Sequence, residues 1–91
     1  MLLKTGQEIT DALNRRIASA DKRYGPFASV HEGMGVALEE WHELIEAVHS
    51  NHALHIQREA LDLCAALMRL CRDVSNVNTH QRSGLYDGPI R

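Results

Sequence analysis

The sequence has few of the residues that cross-link or interrupt small proteins. Its 91 residues include two prolines, two cysteines and, among the aromatics, one Trp, two Tyr and one Phe. Cys64 and Cys71 are seven residues apart on one predicted helix, roughly 10 Å along its axis, which is too far for an unstrained disulfide. We therefore expect two free thiols, buried on the apolar side of that helix as part of the core.

Long apolar runs and positive net charge are also lacking. No apolar run approaches the ~20 residues of a membrane span, and the opening MLLKTGQEIT lacks the apolar stretch of a signal peptide. The formal net charge of -2 gives no basic surface to bind a nucleic-acid backbone. We expect a cytoplasmic protein whose partners include neither a membrane nor a nucleic-acid polymer.

The chain has the composition of one small folded domain, with 44% hydrophobic and 24% charged residues. A chain of this size buries only about 60–65% of its unfolded surface, so its own core is marginal. Association with copies of itself would add apolar burial. The sequence therefore predicts a homodimer or a homotetramer.

Capping boxes mark the starts of two helices. Thr5-Gly6-Gln7-Glu8 opens a first helix, predicted to end near Lys22, before a glycine and a proline. Ser29-Val30-His31-Glu32 opens a second helix, predicted to end near His49. No strand pattern accompanies them, so the sequence predicts an all-α fold.

The second helix contains two glycines and one tryptophan. Gly33 and Gly35 indicate either a later start of the helix or close approach of another backbone or a ligand. Trp41 lies on the broad apolar face of the helix, which favours a place in the core over stacking on a ligand.

A third helix, predicted from about Ala53 to Val74, is apolar almost all round. Its narrow polar strip contains Glu59, Asp62, Arg69 and Asp73. A helix of this kind belongs in the middle of a bundle. We expect residues 1–74 to form an antiparallel bundle of about three helices, with a four-helix core completed by a second chain. Residues 75–91 are predicted to be a polar tail.

Five carboxylates form two clusters on the second and third helices. Glu39 and Glu40 lie within side-chain reach of Glu43, one turn on, and Glu59 and Asp62 share the i, i+3 spacing. If the two helices pack antiparallel through the short break at residues 50–52, the clusters lie at the same height. Carboxylates gathered at one level repel one another unless a cation lies among them, and Mg²⁺ prefers such oxygen ligands.

Two structural explanations compete with a metal site. An EExxE motif alone is usually a solvated acidic strip. Glu59 and Asp62 are harder to explain in this way, because they interrupt an otherwise apolar helix. Ion pairs of these two carboxylates with Arg58, Arg69 or Arg72 remain an alternative.

The paired motif carries a family resemblance. EExxE, a spacer of fifteen residues and then ExxD resembles the signature of the MazG-like, all-α nucleoside triphosphate pyrophosphohydrolases. The segment GPFASVHEGMGVALEEWHEL resembles the short single-domain members found in phages and bacteria. The resemblance covers residues 24–73.

The resemblance implies hydrolysis of a (deoxy)nucleoside triphosphate between the α and β phosphates. It implies Mg²⁺ as the cofactor, with Mn²⁺ as a substitute. Carried over by position, the principal metal ligands are Glu40, Glu43, Glu59 and Asp62. Glu39 binds a further ion or orients the attacking water. Basic side chains that could reach the substrate phosphates are Lys22, Arg23 and Arg69.

Other readings of the sequence stay open. A zinc site could form from His49, His52 and His55, but they straddle a helix break, and His42-Glu43 lacks the second histidine of HExxH. A non-catalytic helical interaction module would keep the bundle and pair its carboxylates internally. A nucleotide-binding sensor would keep the site without rapid hydrolysis.

Overall fold

The structure, a computed structural model, describes residues 1–75. This segment contains three α-helices: α1 (Gly6–Tyr24), α2 (Val30–Ser50) and α3 (Ala53–Asp73). The predicted helices and the all-α class are confirmed, with each helix ending within two residues of its predicted end. From residue 76 onward, the predicted polar tail lies outside the described residues.

The capping residues act largely as the sequence predicts. The Thr5 hydroxyl accepts a hydrogen bond from the Glu8 N–H (3.1 Å), and the Glu8 carboxylate accepts one from the Thr5 N–H (3.0 Å). At the start of α2, the Ser29 hydroxyl accepts from the Glu32 N–H at 3.0 Å. The Glu32 carboxylate accepts from the Ala28 N–H at 2.8 Å, one residue before its expected partner. Both helix starts are therefore fixed by local side chains.

Two residues connect α2 to α3. Asn51 has a left-handed backbone conformation, with φ of 59°, and its N–H donates to the Val48 carbonyl. His52 caps α3, since its Nδ1 accepts from the His55 N–H at 3.4 Å. Asparagine tolerates the left-handed region, so the chain reverses here and α3 packs back along α2.

The third helix lies between the other two. Within residues 1–75, α3 contacts both α1 and α2, and α1 and α2 do not contact each other. The segment before α1 also docks on α3, because the Gln57 side chain bonds both the N–H and the C=O of Leu3 (2.8 and 2.7 Å). This arrangement leaves a cleft between α1 and α2, with α3 as its floor.

A buried arginine joins α3 to the end of α1. The Arg69 side chain is 4% exposed and lies over the Phe27 ring, 4.5 Å from its centroid. Its Nε donates to Asp21 at 3.1 Å and its Nη2 to the Gly25 carbonyl at 2.6 Å. Arg69 therefore holds the α1–α2 connection against the floor of the cleft.

A second arginine extends this network. Arg72 makes two hydrogen bonds to the Asp21 carboxylate, both at 2.8 Å, and one to Asp73 at 2.9 Å. Asp73, 3% exposed, accepts the Phe27 N–H at 3.2 Å. The predicted polar strip of α3 thus contains two of its most buried residues, because they form ion pairs within the chain.

Gly33 lies where α2 packs closely against the Leu70 and Phe27 side chains. A Cβ added at Gly33 would lie 2.6 Å from Leu70 Cδ1 and 3.2 Å from Phe27 Cδ2, so α2 and α3 approach closely here. At Gly35, an added Cβ would meet nothing within 4 Å. The predicted later start of α2 is wrong, since the helix begins at Val30.

Three residues predicted to be buried are exposed in this chain. Trp41 is 48% exposed, and Cys64 and Cys71 are exposed free thiols. They belong to what we call the apolar stripe. On α2 it contains Met34, Leu38, Trp41 and Val48, on α3 it contains Cys64, Leu67, Met68 and Cys71, and it ends at Val74, directly after α3. Three helices cannot cover every apolar face of α2 and α3, so the core prediction is wrong for a single chain.

None of the helices in residues 1–75 combines the length and the apolar character needed to cross a membrane.

Candidate metal centre and cleft

Three of the five predicted carboxylates meet between α2 and α3. Glu40 and Glu43 lie one turn apart on α2, and Glu59 lies on α3. One carboxylate oxygen from each lies within 4.8 Å of the others. The short α2–α3 connection brings them to one height, as the equal spacing from the break predicts. Three oxygens at this separation match the ligand set of a hard divalent cation.

Two of these carboxylates carry a buried oxygen without a partner. Oε2 of Glu40 and Oε2 of Glu59 accept no hydrogen bond from any described residue. Burial, followed by the charges of Glu43, Asp62 and Glu59, raises the pKa of Glu40 to about 7. Burial, followed by the adjacent Glu43 carboxylate, also raises the pKa of Glu59. The cluster is therefore short of positive charge.

Asp62 and Glu39 lie beside the three clustered carboxylates but not among them. Asp62 Oδ1 accepts a hydrogen bond from Arg16 Nε at 2.8 Å, although its charge still reaches Glu40 and Glu59. Glu39 is exposed and lines the cleft. The structure thus brings three of the predicted ligands together and leaves the other two at the edge.

The ion pairs of the cluster differ from the predicted alternatives. No ion pair among the described residues joins Glu59 or Asp62 to Arg58, Arg69 or Arg72. Arg69 and Arg72 bind Asp21 instead. Glu59 instead lies 3.2 Å from His55 Nε2, one turn earlier on α3.

The alternative of a zinc site is not supported in the part of the chain that the structure describes. His49, His52 and His55 do not come together as a group of metal ligands there. His52 uses its Nδ1 to cap α3, and His55 pairs with Glu59. Two of the three histidines therefore have a structural role that requires no metal.

The cleft between α1 and α2 opens beside the acidic cluster. Its volume is about 670 Å³, within the usual range for ligand sites. The α1 wall is basic, with Arg16, Ser19, Ala20, Arg23 and Tyr24. The α2 wall is acidic, with Glu32, Val36, Glu39 and Glu40, and the α3 floor has Asp62, Ala65, Ala66 and Arg69. Two walls of opposite charge suit a ligand that carries both anionic groups and bound cations.

The three predicted phosphate-binding residues have different surroundings. Lys22 is exposed and does not line the cleft. Arg23 lines it and lies over the Tyr24 ring, 5.3 Å from the centroid. Arg69 lies in the floor, with its hydrogen bonds made to Asp21 and Gly25.

Sequence reasoning missed Arg16, which lines the cleft and contacts Asp62 beside the acidic cluster. The available signal was the basic second half of α1, but only the packing of α1 on α3 brings Arg16 to Asp62, 46 residues away.

Comparison with protein-family models, with curated proteins and with solved structures gave no match.

Without Mg²⁺, the free energy of unfolding should fall as the pH rises from about 4.5 to about 7. In this interval folded Glu40, with its pKa of about 7, retains a proton that the unfolded chain has lost. The full pKa difference corresponds to about 3 kcal/mol, and solvent screening of this partly exposed group reduces the expected change to about 1 kcal/mol. The charged groups facing Glu40 are Glu43, Glu59, Asp62 and, across the cleft, Arg16.

Urea unfolding across this pH range would test the expectation. The Glu40→Gln variant should show a smaller decrease, with the raised pKa of Glu59 accounting for the remainder, and the control Glu46→Gln, exposed on the same helix, should keep the full decrease. Millimolar Mg²⁺ should remove the decrease from the wild type if the cation binds the ionised cluster. An equal decrease in wild type and Glu40→Gln would assign the effect to other groups.

Proposed function

We propose that the chain is a Mg²⁺-dependent nucleoside triphosphate pyrophosphohydrolase. It would cleave a (deoxy)nucleoside triphosphate between the α and β phosphates and release a monophosphate and pyrophosphate. The observation that carries the proposal is the meeting of Glu40, Glu43 and Glu59 with two unpartnered buried oxygens. The reaction class comes from the resemblance of the paired EExxE and ExxD motifs to the MazG-like family.

Glu40, Glu43 and Glu59 would hold the cation, and Asp62 would add a fourth carboxylate from the floor of the cleft. Bound Mg²⁺, or Mn²⁺ in its place, supplies charge neutralisation for the triphosphate and activates water at neutral pH. Glu39, which is exposed and lines the same cleft, would accept a hydrogen bond from the attacking water and so orient it.

Pyrophosphate release from a panel of ribo- and deoxynucleoside triphosphates tests the proposal. We expect release in Mg²⁺ or Mn²⁺ and none in EDTA, with one or a few bases preferred. Analysis of the second product should show a nucleoside monophosphate. A diphosphate with free phosphate would place cleavage at the other bond and contradict the proposal. No turnover of any substrate would favour the non-catalytic interaction module.

We also propose that the apolar stripe is the interface of a homodimer. Leu38 and Trp41 lie on the side of α2 away from its cleft-facing residues, and Leu67 and Met68 are about half exposed on α3. A contiguous apolar face of this kind usually marks a protein interface. Pairing two copies would place α2 and α3 of each in a four-helix core, with α1 outside it.

Replacing Leu38 with Lys should convert the dimer to a monomer, because an ammonium group would be buried in the apolar interface without a partner. Analytical ultracentrifugation at micromolar concentrations would measure the change. The control is Glu46→Lys, which adds the same side chain at an exposed position outside the apolar stripe. A wild-type monomer, or a Leu38→Lys dimer as tight as the control, would contradict this interface.

A further inference from the structure

Three arginines line the cleft, and they differ in how many of their hydrogen-bond donors are engaged. Arg69 is buried, with Nε bonded to Asp21 and Nη2 to the Gly25 carbonyl. Arg23 lies over the Tyr24 ring at 5.3 Å and its side chain makes no hydrogen bond within residues 1–75, but no ion pair there joins it to Asp62 or to the clustered carboxylates. Arg16 donates only through Nε, to Asp62, and its Nη1 and Nη2 make no hydrogen bond within residues 1–75. Arg16 therefore has most of its donors available at the acidic end of the cleft.

The Arg16–Asp62 pair can exchange partners readily. The two side chains are 31% and 40% exposed, and ion pairs open to solvent contribute little to stability. Asp62 has a second oxygen that makes no hydrogen bond among the described residues. The guanidinium fork matches phosphate oxygens in two-point contacts.

We propose that Arg16 is the phosphate-binding residue of the α1 wall, and that it contacts the pyrophosphate portion of the substrate while the carboxylates opposite hold the cation. Its position beside Asp62 places one guanidinium next to the proposed metal ligands. The inference rests on the proposed function for the identity of the substrate. The contact with pyrophosphate does not depend on turnover.

The geometry makes Arg16 the link between the two walls. A triphosphate with bound Mg²⁺ presents both anionic oxygens and a cation. In the cleft, Arg16 can bind the anionic oxygens, and Glu40 with Asp62 can bind the cation. Arg16 and a cation bound at Asp62 compete for the same carboxylate. Removing Arg16 should therefore weaken phosphate binding and leave binding of Mg²⁺ alone unchanged or tighter.

Calorimetric titration with inorganic pyrophosphate in Mg²⁺ tests this without requiring turnover. We expect Arg16→Gln to weaken pyrophosphate binding about thirtyfold and Arg16→Lys, which keeps the charge but loses the fork, about tenfold. The matched control is Arg15→Gln, which removes the same charge from the adjacent, exposed residue outside the cleft and should change affinity less than about twofold. Mg²⁺ titrated alone should bind Arg16→Gln at least as tightly as wild type.

The outcomes separate this inference from the proposed function. Arg16-dependent pyrophosphate binding in a protein that hydrolyses no triphosphate would support the inference and contradict the function. Hydrolysis with the same KM in Arg16→Gln and Arg15→Gln would support the proposed function and contradict the inference about Arg16. Equal pyrophosphate affinities in these two variants, or no pyrophosphate binding by the wild type, would overturn the inference. A loss of Mg²⁺ affinity equal to the loss of pyrophosphate affinity would identify Arg16 as a structural residue and also overturn it.

Discussion

Replacing Glu43 with Gln should lower the rate of pyrophosphate release by about a thousandfold. Glu43 contributes one of the three oxygens that lie within 4.8 Å of one another, and the amide cannot supply its charge. Loss of metal-based stabilisation worth several kcal/mol corresponds to about three orders of magnitude in rate. The measurement compares kcat/KM of Glu43→Gln with that of wild type, for the preferred triphosphate at saturating Mg²⁺.

The stability of the same variant distinguishes loss of chemistry from loss of folding. Glu43→Gln removes a negative charge that raises the pKa of both Glu40 and Glu59, so without Mg²⁺ it should unfold at a higher urea concentration than wild type. The control Glu46→Gln, three residues further along α2, should retain full activity.

The size of the effect should follow the geometry. Glu40→Gln and Glu59→Gln should resemble Glu43→Gln, since all three belong to the cluster. Glu39→Gln should lose only about tenfold in kcat/KM, because Glu39 lines the cleft outside the cluster. Full activity of Glu43→Gln together with loss of activity in Glu39→Gln would contradict the proposed metal ligands.

Replacing Asp21 with Ala should destabilise the fold by about 3 kcal/mol. Asp21 accepts hydrogen bonds from Arg69 and Arg72, and its loss leaves the guanidinium of Arg69, 4% exposed, without its carboxylate. In a domain of this size such a loss lowers the melting temperature by about 15 °C. Thermal unfolding followed by circular dichroism would measure it.

Asp11→Ala is the matched control for this prediction. Asp11 lies on the same helix and is exposed, and within residues 1–75 its side chain accepts a hydrogen bond only from the Gln7 side chain, at 2.8 Å. Its replacement should therefore change stability by less than about 0.5 kcal/mol. If the two variants melted at the same temperature, the buried network would contribute nothing beyond an exposed hydrogen bond.

Asp21 and Glu40 should give opposite pH dependence. Hydrogen bonds from Arg72 hold the pKa of Asp21 below its usual value, and hydrogen bonding to Arg72 does the same for Asp73. Their contribution is present above the unfolded pKa and is lost as the pH falls through the folded pKa. Glu40 favours the folded state at low pH instead, because its folded pKa lies above the ordinary value. Without Mg²⁺, stability should therefore be greatest in mildly acidic solution.

The parts of the site that the sequence predicts are those fixed by local geometry. Glu40 and Glu43 are one turn apart on any helix, and a short break sets the height of Glu59 opposite them. Arg16 could not be predicted in the same way. Its contact with Asp62 depends on how α1 crosses α3, and helical periodicity leaves that angle open.

The fold shows the same division between local and long-range information. The caps at Thr5 and Ser29 and the break at Asn51 follow from residue chemistry over a few positions. The exposure of Trp41 does not, because an apolar helix face looks the same in sequence whether its partner is in the same chain or another copy. The burial of Arg69 does not follow from the sequence either, because its partner Asp21 is 48 residues away.

The absence of contact between α1 and α2 within residues 1–75 has a consequence for how such a protein can diversify. The clustered carboxylates all belong to the α2–α3 hairpin, whereas the opposite wall of the cleft belongs to α1. Mutations at the cleft-facing positions Ser19, Ala20 and Tyr24 can therefore reshape what the cleft accepts while leaving the hairpin and its acidic cluster intact. Under the proposed function, new substrate preferences would arise from changes in one helix while the metal-binding carboxylates stay unchanged in the other two.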